Sequence, residues 1–136
     1  MINRCELHFA SILKNVGHMV LCLLEFVGGQ HITEEERSDL KLIFSELLYN
    51  AVIHGNNKDE TKYVHVIVEA TDYEIAASVR DEGPGFDYNQ VIAYAHSEEA
   101  VLSEHGRGMV LVCALTDKLC FSEGGNQISF VKTLKK

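Results

Sequence analysis

Hydrophobic and polar positions change their period several times along this chain, and each change marks an element. Cys5, Leu7 and Phe9 alternate with polar neighbours, which predicts a first strand. From Ile12 to Val27 the apolar residues Ile12, Val16, Met19, Val20, Leu23, Leu24 and Val27 return at helical spacing, and Gly28-Gly29 closes the run. Thr33-Glu34-Glu35-Glu36 then has the form of a capping box, with acidic side chains set against the positive end of a helix dipole. The helix it opens is predicted to run to about His54. Leu40, Ile43, Phe44, Leu47, Leu48, Ala51 and Val52 are its buried stripe, and Gly55-Asn56-Asn57 is its stop.

The second half of the chain reads differently. Tyr63 to Glu69 and Glu74 to Arg80 are β-branched segments joined by Thr71-Asp72-Tyr73, which predicts an antiparallel hairpin. A long loop region begins at Asp81, with a short helix near Tyr88 to Tyr94. A helix from about Arg107 to Leu115 leads into strands Lys118 to Ser122 and Gln127 to Thr133, joined by a Gly-Gly-Asn turn. Helices early and hairpins late imply an α+β fold, a two-layer arrangement with helices on one face of a mixed, mostly antiparallel sheet. A doubly wound parallel sheet fits worse, because helix and strand signals do not alternate regularly.

With 136 residues, the expectation is one domain over 1–136. Hydrophobic residues at 46%, charged residues at 24% and a single proline belong to a globular chain, not a disordered one. The net charge of −8 argues against a nucleic-acid partner, since binding a phosphate backbone depends on excess Lys and Arg. It does not exclude a nucleotide, which a nest of backbone N–H groups or a metal can hold against the average field. Cys5, Cys22, Cys113 and Cys120 lack the spacing of a zinc site or a disulfide framework and are expected to be reduced thiols in a cytoplasmic protein. The longest apolar stretch, Met19 to Val27, contains Glu25 and is far shorter than the roughly 20 residues of a membrane span. Glu6 and His8 interrupt the N-terminus before any apolar run, unlike a signal peptide.

Three polar constellations carry candidate chemistry. Glu46, Asn50 and His54 stand four apart on the second predicted helix, so successive members are displaced by about 40° along one border of its apolar stripe. Asp81-Glu82-Gly83-Pro84-Gly85-Phe86 follows a strand directly; its glycines let backbone approach a ligand, and Asp81 can accept a hydrogen bond from a donor such as an adenine amino group. Gly106-Arg107-Gly108 opens the next apolar helix, where free N–H groups favour an anion such as phosphate. The polar segment Ala95 to His105 between the last two reads as a mobile lid. Each has an ordinary alternative: a solvated helix edge, a tight turn with an acidic cap, a loop ahead of a helix.

Their order is more specific than any one of them. Glu-x-x-x-Asn-Ala-x-x-His-Gly, then Asp-x-Gly-x-Gly-Phe, then Gly-x-Gly resembles the N box and two glycine boxes of the GHKL, or histidine kinase-like, ATPase superfamily with its Bergerat-type fold. No P-loop competes for the nucleotide. Within that superfamily the compact chain resembles the bacterial anti-sigma factor serine/threonine-protein kinases. The resemblance implies ATP and Mg²⁺ as ligands, Asn50 as the metal ligand, Asp81 as the adenine acceptor, and Gly83, Gly85, Gly106, Arg107 and Gly108 lining the nucleotide. Glu46 is the implied general base toward a seryl hydroxyl. His54 is as well explained by capping the helix end and is left out of the catalytic set.

The implied partners are a sigma factor, held inactive, and an anti-anti-sigma (STAS-type) antagonist phosphorylated on serine, with the protein itself a homodimer. Two rival readings stand beside this one: a nonenzymatic ATP-responsive module that sequesters a partner, and the catalytic domain of a histidine kinase. The segment between Ala95 and His105 holds no Arg or Lys, leaving Arg107 as the nearest cation, and Gly124-Gly125-Asn126-Gln127 stands where many relatives carry a glycine-threonine pair.

Overall fold

The structure is a computed structural model and describes residues 2–85, 104–122 and 124–135. The short helix expected near Tyr88 to Tyr94, and the lid from Ala95 up to residue 103, lie outside the described residues.

Every strand pattern read above forms a strand. These are β1 (Asn3–Ala10), β2 (Tyr63–Ala70), β3 (Glu74–Arg80), β4 (Lys118–Phe121) and β5 (Gln127–Thr133). They make one five-stranded sheet in the order β1-β2-β3-β5-β4. Each neighbouring pair is antiparallel, so the sheet is more uniform than the mixed one expected. Strand alternation sends Val64, Val66, Val68, Ile75, Ala77, Val79, Ile128 and Phe130 to one face, and all of them are buried.

The helices α1 (Leu13–Val27), α2 (Glu34–Asn50) and α3 (Glu104–Leu115) cover that face, with α2 packed between the other two. Phe44 of α2 meets Phe130 of β5 edge to face, with ring centroids 5.8 Å apart. Helices on one side of an antiparallel sheet give the expected α+β fold.

Two polar devices tie the layers together. Thr33 caps α2 reciprocally: its Oγ1 accepts from the Glu36 N–H and its own N–H donates to Glu36 Oε1. The other Glu36 oxygen accepts from the Lys135 N–H at 2.7 Å, so one buried carboxylate fastens both the start of α2 and the end of the chain. Lys132, buried on β5, reaches Asp39 of α2 at 3.3 Å and donates to the Leu115 carbonyl at the end of α3.

The α2 boundary differs from its expectation. The α-helix stops at Asn50, and Ala51–Gly55 form one π turn in which the Asn56 N–H reaches back five residues to the Ala51 carbonyl. His54 lies within this turn and is exposed.

Candidate functional site

The end of α2, the loop after β3, the start of α3 and the β4–β5 turn converge at one end of the sheet. Glycines govern how close they come. Asp81 follows β3, where its N–H donates to the Asn126 carbonyl of the β4–β5 turn at 2.9 Å. Its carboxylate is 2% exposed, one oxygen accepting from the Gly83 N–H at 2.8 Å and the other lying against the α-carbon of Gly55. A Cβ on Gly55 would occupy the space of that carboxylate.

The loop is equally close to its backbone neighbours. A Cβ on Gly83 would collide with the Gly55 carbonyl oxygen, and one on Gly85 with the Gly124 carbonyl oxygen. Gly85 also has φ of +91°, a region L side chains rarely adopt. The segment from Asp81 to Gly85 is thus clamped between the π turn and the β4–β5 turn, with Gly83 and Gly85 meeting carbonyl oxygens of the backbone at the two contacts.

Burial pushes the Asp81 carboxyl above its ordinary value, while the Gly83 N–H and the Lys62 ammonium pull the other way. An acceptor so enclosed is fixed in direction. Such a group suits a flat ligand presenting an amino group.

The α2–α3 side is built from side chains. Glu46 is half-buried, and its carboxylate lies where a Cβ of Gly108 would stand, so α3 approaches α2 there only because that residue is glycine. Asn50, one turn further on, points its amide nitrogen at the Met109 sulfur 3.5 Å away. A thioether can only accept, which fixes the amide orientation and turns the Asn50 oxygen the other way, as a cation ligand requires.

One expectation needs correcting. Gly106-Arg107-Gly108 do not stand ahead of the helix: α3 is already helical from Glu104, so all three lie inside it. Gly108 therefore seats the Glu46 carboxylate rather than offering an unpaired N–H at a helix start. The glycines read as the opening of the helix because glycine is a poor helix former in an interior.

The structure brings Asp81, Gly83 and Gly85 together on one side, and Glu46, Asn50 and Gly108 on the other. Sequence reasoning gave Gly55, Asn56 and Gly124 no contact with the Asp81 loop, although each touches it. The His-Gly that closes the Asn-Ala-x-x-His-Gly run was the available signal for Gly55. Nothing in the pattern marked Gly124 as a contact of Gly85. Among the described residues no group of three or more His, Cys, Asp and Glu side chains is arranged to hold a metal ion. No described helix is long and apolar enough to cross a membrane.

The profile of the family described as "Histidine kinase-like ATPase domain" matches residues 9–132, which include every residue of the site. Proteins named anti-sigma F factor are similar over most of the chain. That of Shouchella clausii is 28% identical over 113 residues, covering 82% of this chain and 77% of its own length. That of Oceanobacillus iheyensis is 26% identical over 140 residues, covering 100% and 96%, and that of Pasteuria penetrans 29% identical over 136 residues, covering 98% and 91%.

Proposed function

Because the chain belongs to the histidine kinase-like ATPase domain family, we propose that it binds ATP with Mg²⁺ at this site and acts as an anti-sigma factor with protein-serine kinase activity. The carrying observation is the seating of Asp81: a carboxylate 2% exposed, held by the Gly83 N–H and enclosed by glycine backbone. It is the acceptor for the adenine amino group. Gly83 and Gly85 let the loop close on the Gly55 and Gly124 carbonyls and so set the wall beside the base, and Gly106, Arg107 and Gly108 carry the α3 side along the phosphates.

The residues present fit a Mg²⁺ ion, since the orientation of Asn50 offers it an amide oxygen and phosphates complete the oxygen set. Bound there, the ion neutralises charge developing on the phosphates. Glu46 accepts the proton of the attacking seryl hydroxyl as that oxygen bonds to the terminal phosphorus and the bond to the bridging oxygen breaks. ADP leaves and the proton stays on the carboxylate until solvent takes it.

The relatives' name, anti-sigma F factor, supports a sigma factor as the protein held; the proposal adds an STAS-type antagonist as the phosphate acceptor and a second copy of this chain as a further partner. The face of the sheet away from α1, α2 and α3, where Ile67, Ala76 and Val131 stand half-buried between Glu69 and Lys118, suits such a copy. Calorimetry with Mg-ATP should show saturable binding that Asn50→Ala weakens, and the antagonist should gain phosphate that survives acid. Acid-labile phosphate would indicate a histidine kinase domain instead. The absence of Arg and Lys between Ala95 and His105 favours a second reading, a nonenzymatic ATP-responsive module, which predicts binding without any transfer.

A further inference from the structure

Asn56 is the most completely engaged polar side chain near the site, and the nucleotide reading gives it no part. It is 1% exposed. Its two amide hydrogens go to Ser11 Oγ at 2.7 Å and the Tyr63 carbonyl at 3.0 Å, while its oxygen accepts from the Glu82 N–H at 2.8 Å. Ser11 is fixed in turn: its hydroxyl donates to the Lys62 carbonyl at 2.9 Å and its N–H to the same oxygen at 3.1 Å. Asn56 therefore joins three places: the β1–α1 junction, the start of β2, and the loop carrying Asp81.

Only a short amide supplies two donors toward one side and an acceptor toward the other at this distance. Aspartate would set negative oxygens against the Tyr63 carbonyl, and glutamine would be a methylene too long. Asn56 also follows Gly55, whose α-carbon is the seat of the Asp81 carboxylate. It holds the residue after Asp81 and the residue before itself in one frame. A fully satisfied buried network of this kind is rigid.

We infer that Asn56 is a positioning residue for nucleotide selectivity: by holding the Glu82 N–H against the end of α2, it sets where the Asp81 carboxylate stands and so how strongly an amino-bearing base is preferred. The inference rests on the proposal that Asp81 receives the adenine amino group. Misplacing a selective acceptor erases discrimination, because discrimination depends on direction and distance more than general affinity does.

The test is the ratio of Mg-ATP to Mg-ITP affinity, measured by calorimetry, since inosine lacks the amino group and otherwise shares the purine shape. The unaltered chain should prefer ATP, and Asp81→Asn should remove the preference. Asn56→Ala should lower the ratio by about tenfold, with ATP affinity falling more than ITP affinity. A folded Asn56→Ala protein that loses both affinities equally, or keeps the ratio while Asp81→Asn loses it, would overturn the inference and leave the Asp81 reading intact. Equal binding of ATP and ITP by the unaltered chain would overturn both. Should Asn56→Ala fail to fold by circular dichroism, Ser11→Ala carries the test. It removes the acceptor of one Asn56 N–H, and an unchanged ratio in that variant overturns the inference as well.

Discussion

The two sides of the site are close-packed by opposite means. On the proposed base side, backbone meets backbone: Gly83 against the Gly55 carbonyl, Gly85 against the Gly124 carbonyl. On the proposed phosphate side, a side chain meets a glycine: the Glu46 carboxylate fills the place of a Gly108 Cβ. A backbone contact has nothing to rotate away, whereas a carboxylate on a glutamate stem can move by changing rotamer. Substitutions on the base side should therefore act through shape and affinity, and those on the phosphate side through chemistry and rate.

The largest effect is expected from Gly85→Ala. The new methyl meets the Gly124 carbonyl and is held at φ of +91°, so conformational cost of about 1–2 kcal/mol adds to overpacking of about 1–3 kcal/mol. The loop must leave its place, and Mg-ATP should give no measurable calorimetric saturation while circular dichroism shows the sheet retained. Saturation at unaltered affinity would show that the base side is not a rigid backbone clamp.

Glu46→Gln comes next and acts on the other quantity. Nucleotide affinity should be retained while phosphoryl transfer to the antagonist falls by about 10² to 10⁴, the usual contribution of a general base. Gly108→Ala sharpens the contrast. Its methyl displaces the same carboxylate, yet alanine favours a helix interior by about 1 kcal/mol over glycine. A radiolabel assay should find transfer reduced without loss of thermal stability. Parallel loss of affinity in both variants would erase the distinction between the two sides.

Much of this was legible in the sequence where a pattern runs for several turns. The stripe from Leu40 to Leu48 and the Thr33 capping box placed α2, and the alternation in Tyr63 to Arg80 gave the hairpin bearing Asp81. The π turn at Ala51–Gly55 was not legible, because a shift from four to five residues per hydrogen bond over one turn leaves no period to detect. The contacts of Gly55 with Asp81 and of Gly124 with Gly85 were hidden for another reason. They join segments far apart in the chain, and a glycine needed for space reads the same as one needed for a turn.

Asp81→Asn should have a smaller effect on affinity than Gly85→Ala, about tenfold to a hundredfold, the worth of a hydrogen bond to a charged group. It carries a stability signature that no other substitution here shares. Burial raises the Asp81 carboxyl above its ordinary 3.8, against the smaller pulls of the Gly83 N–H and Lys62. A carboxyl raised in the folded state costs nothing below its unfolded value; the cost grows as pH rises through that value and is complete above the folded one. Asparagine keeps an oxygen for the Gly83 N–H and cannot ionise. The variant should melt higher than the parent at neutral pH, with the gain disappearing as pH falls below 3.8. A gain independent of pH would mean that the buried charge is not its source.

The smallest effect tests whether backbone strain beside the base side is part of recognition or only adjoins it. Asn57 and Lys58, just after the π turn, have φ of 52° and 60°, the left-handed region that costs most residues about 1–2 kcal/mol. Asparagine tolerates that region through local hydrogen bonding, so the strain falls mainly on Lys58. Its N–H is held by the Val52 carbonyl at 2.8 Å, a bond that glycine retains. Lys58→Gly removes the steric cost but adds chain entropy to the unfolded state, leaving a net gain of about 0.5–1 kcal/mol by urea unfolding, with Asn57→Gly gaining less. Because Asn56, not Lys58, bonds the Asp81 loop, the preference for ATP over ITP should stay at the parent value in both variants. A changed preference in Lys58→Gly would mean that the strained turn itself shapes the base side, and that rigidity there does not reside in the glycine contacts and Asn56 alone.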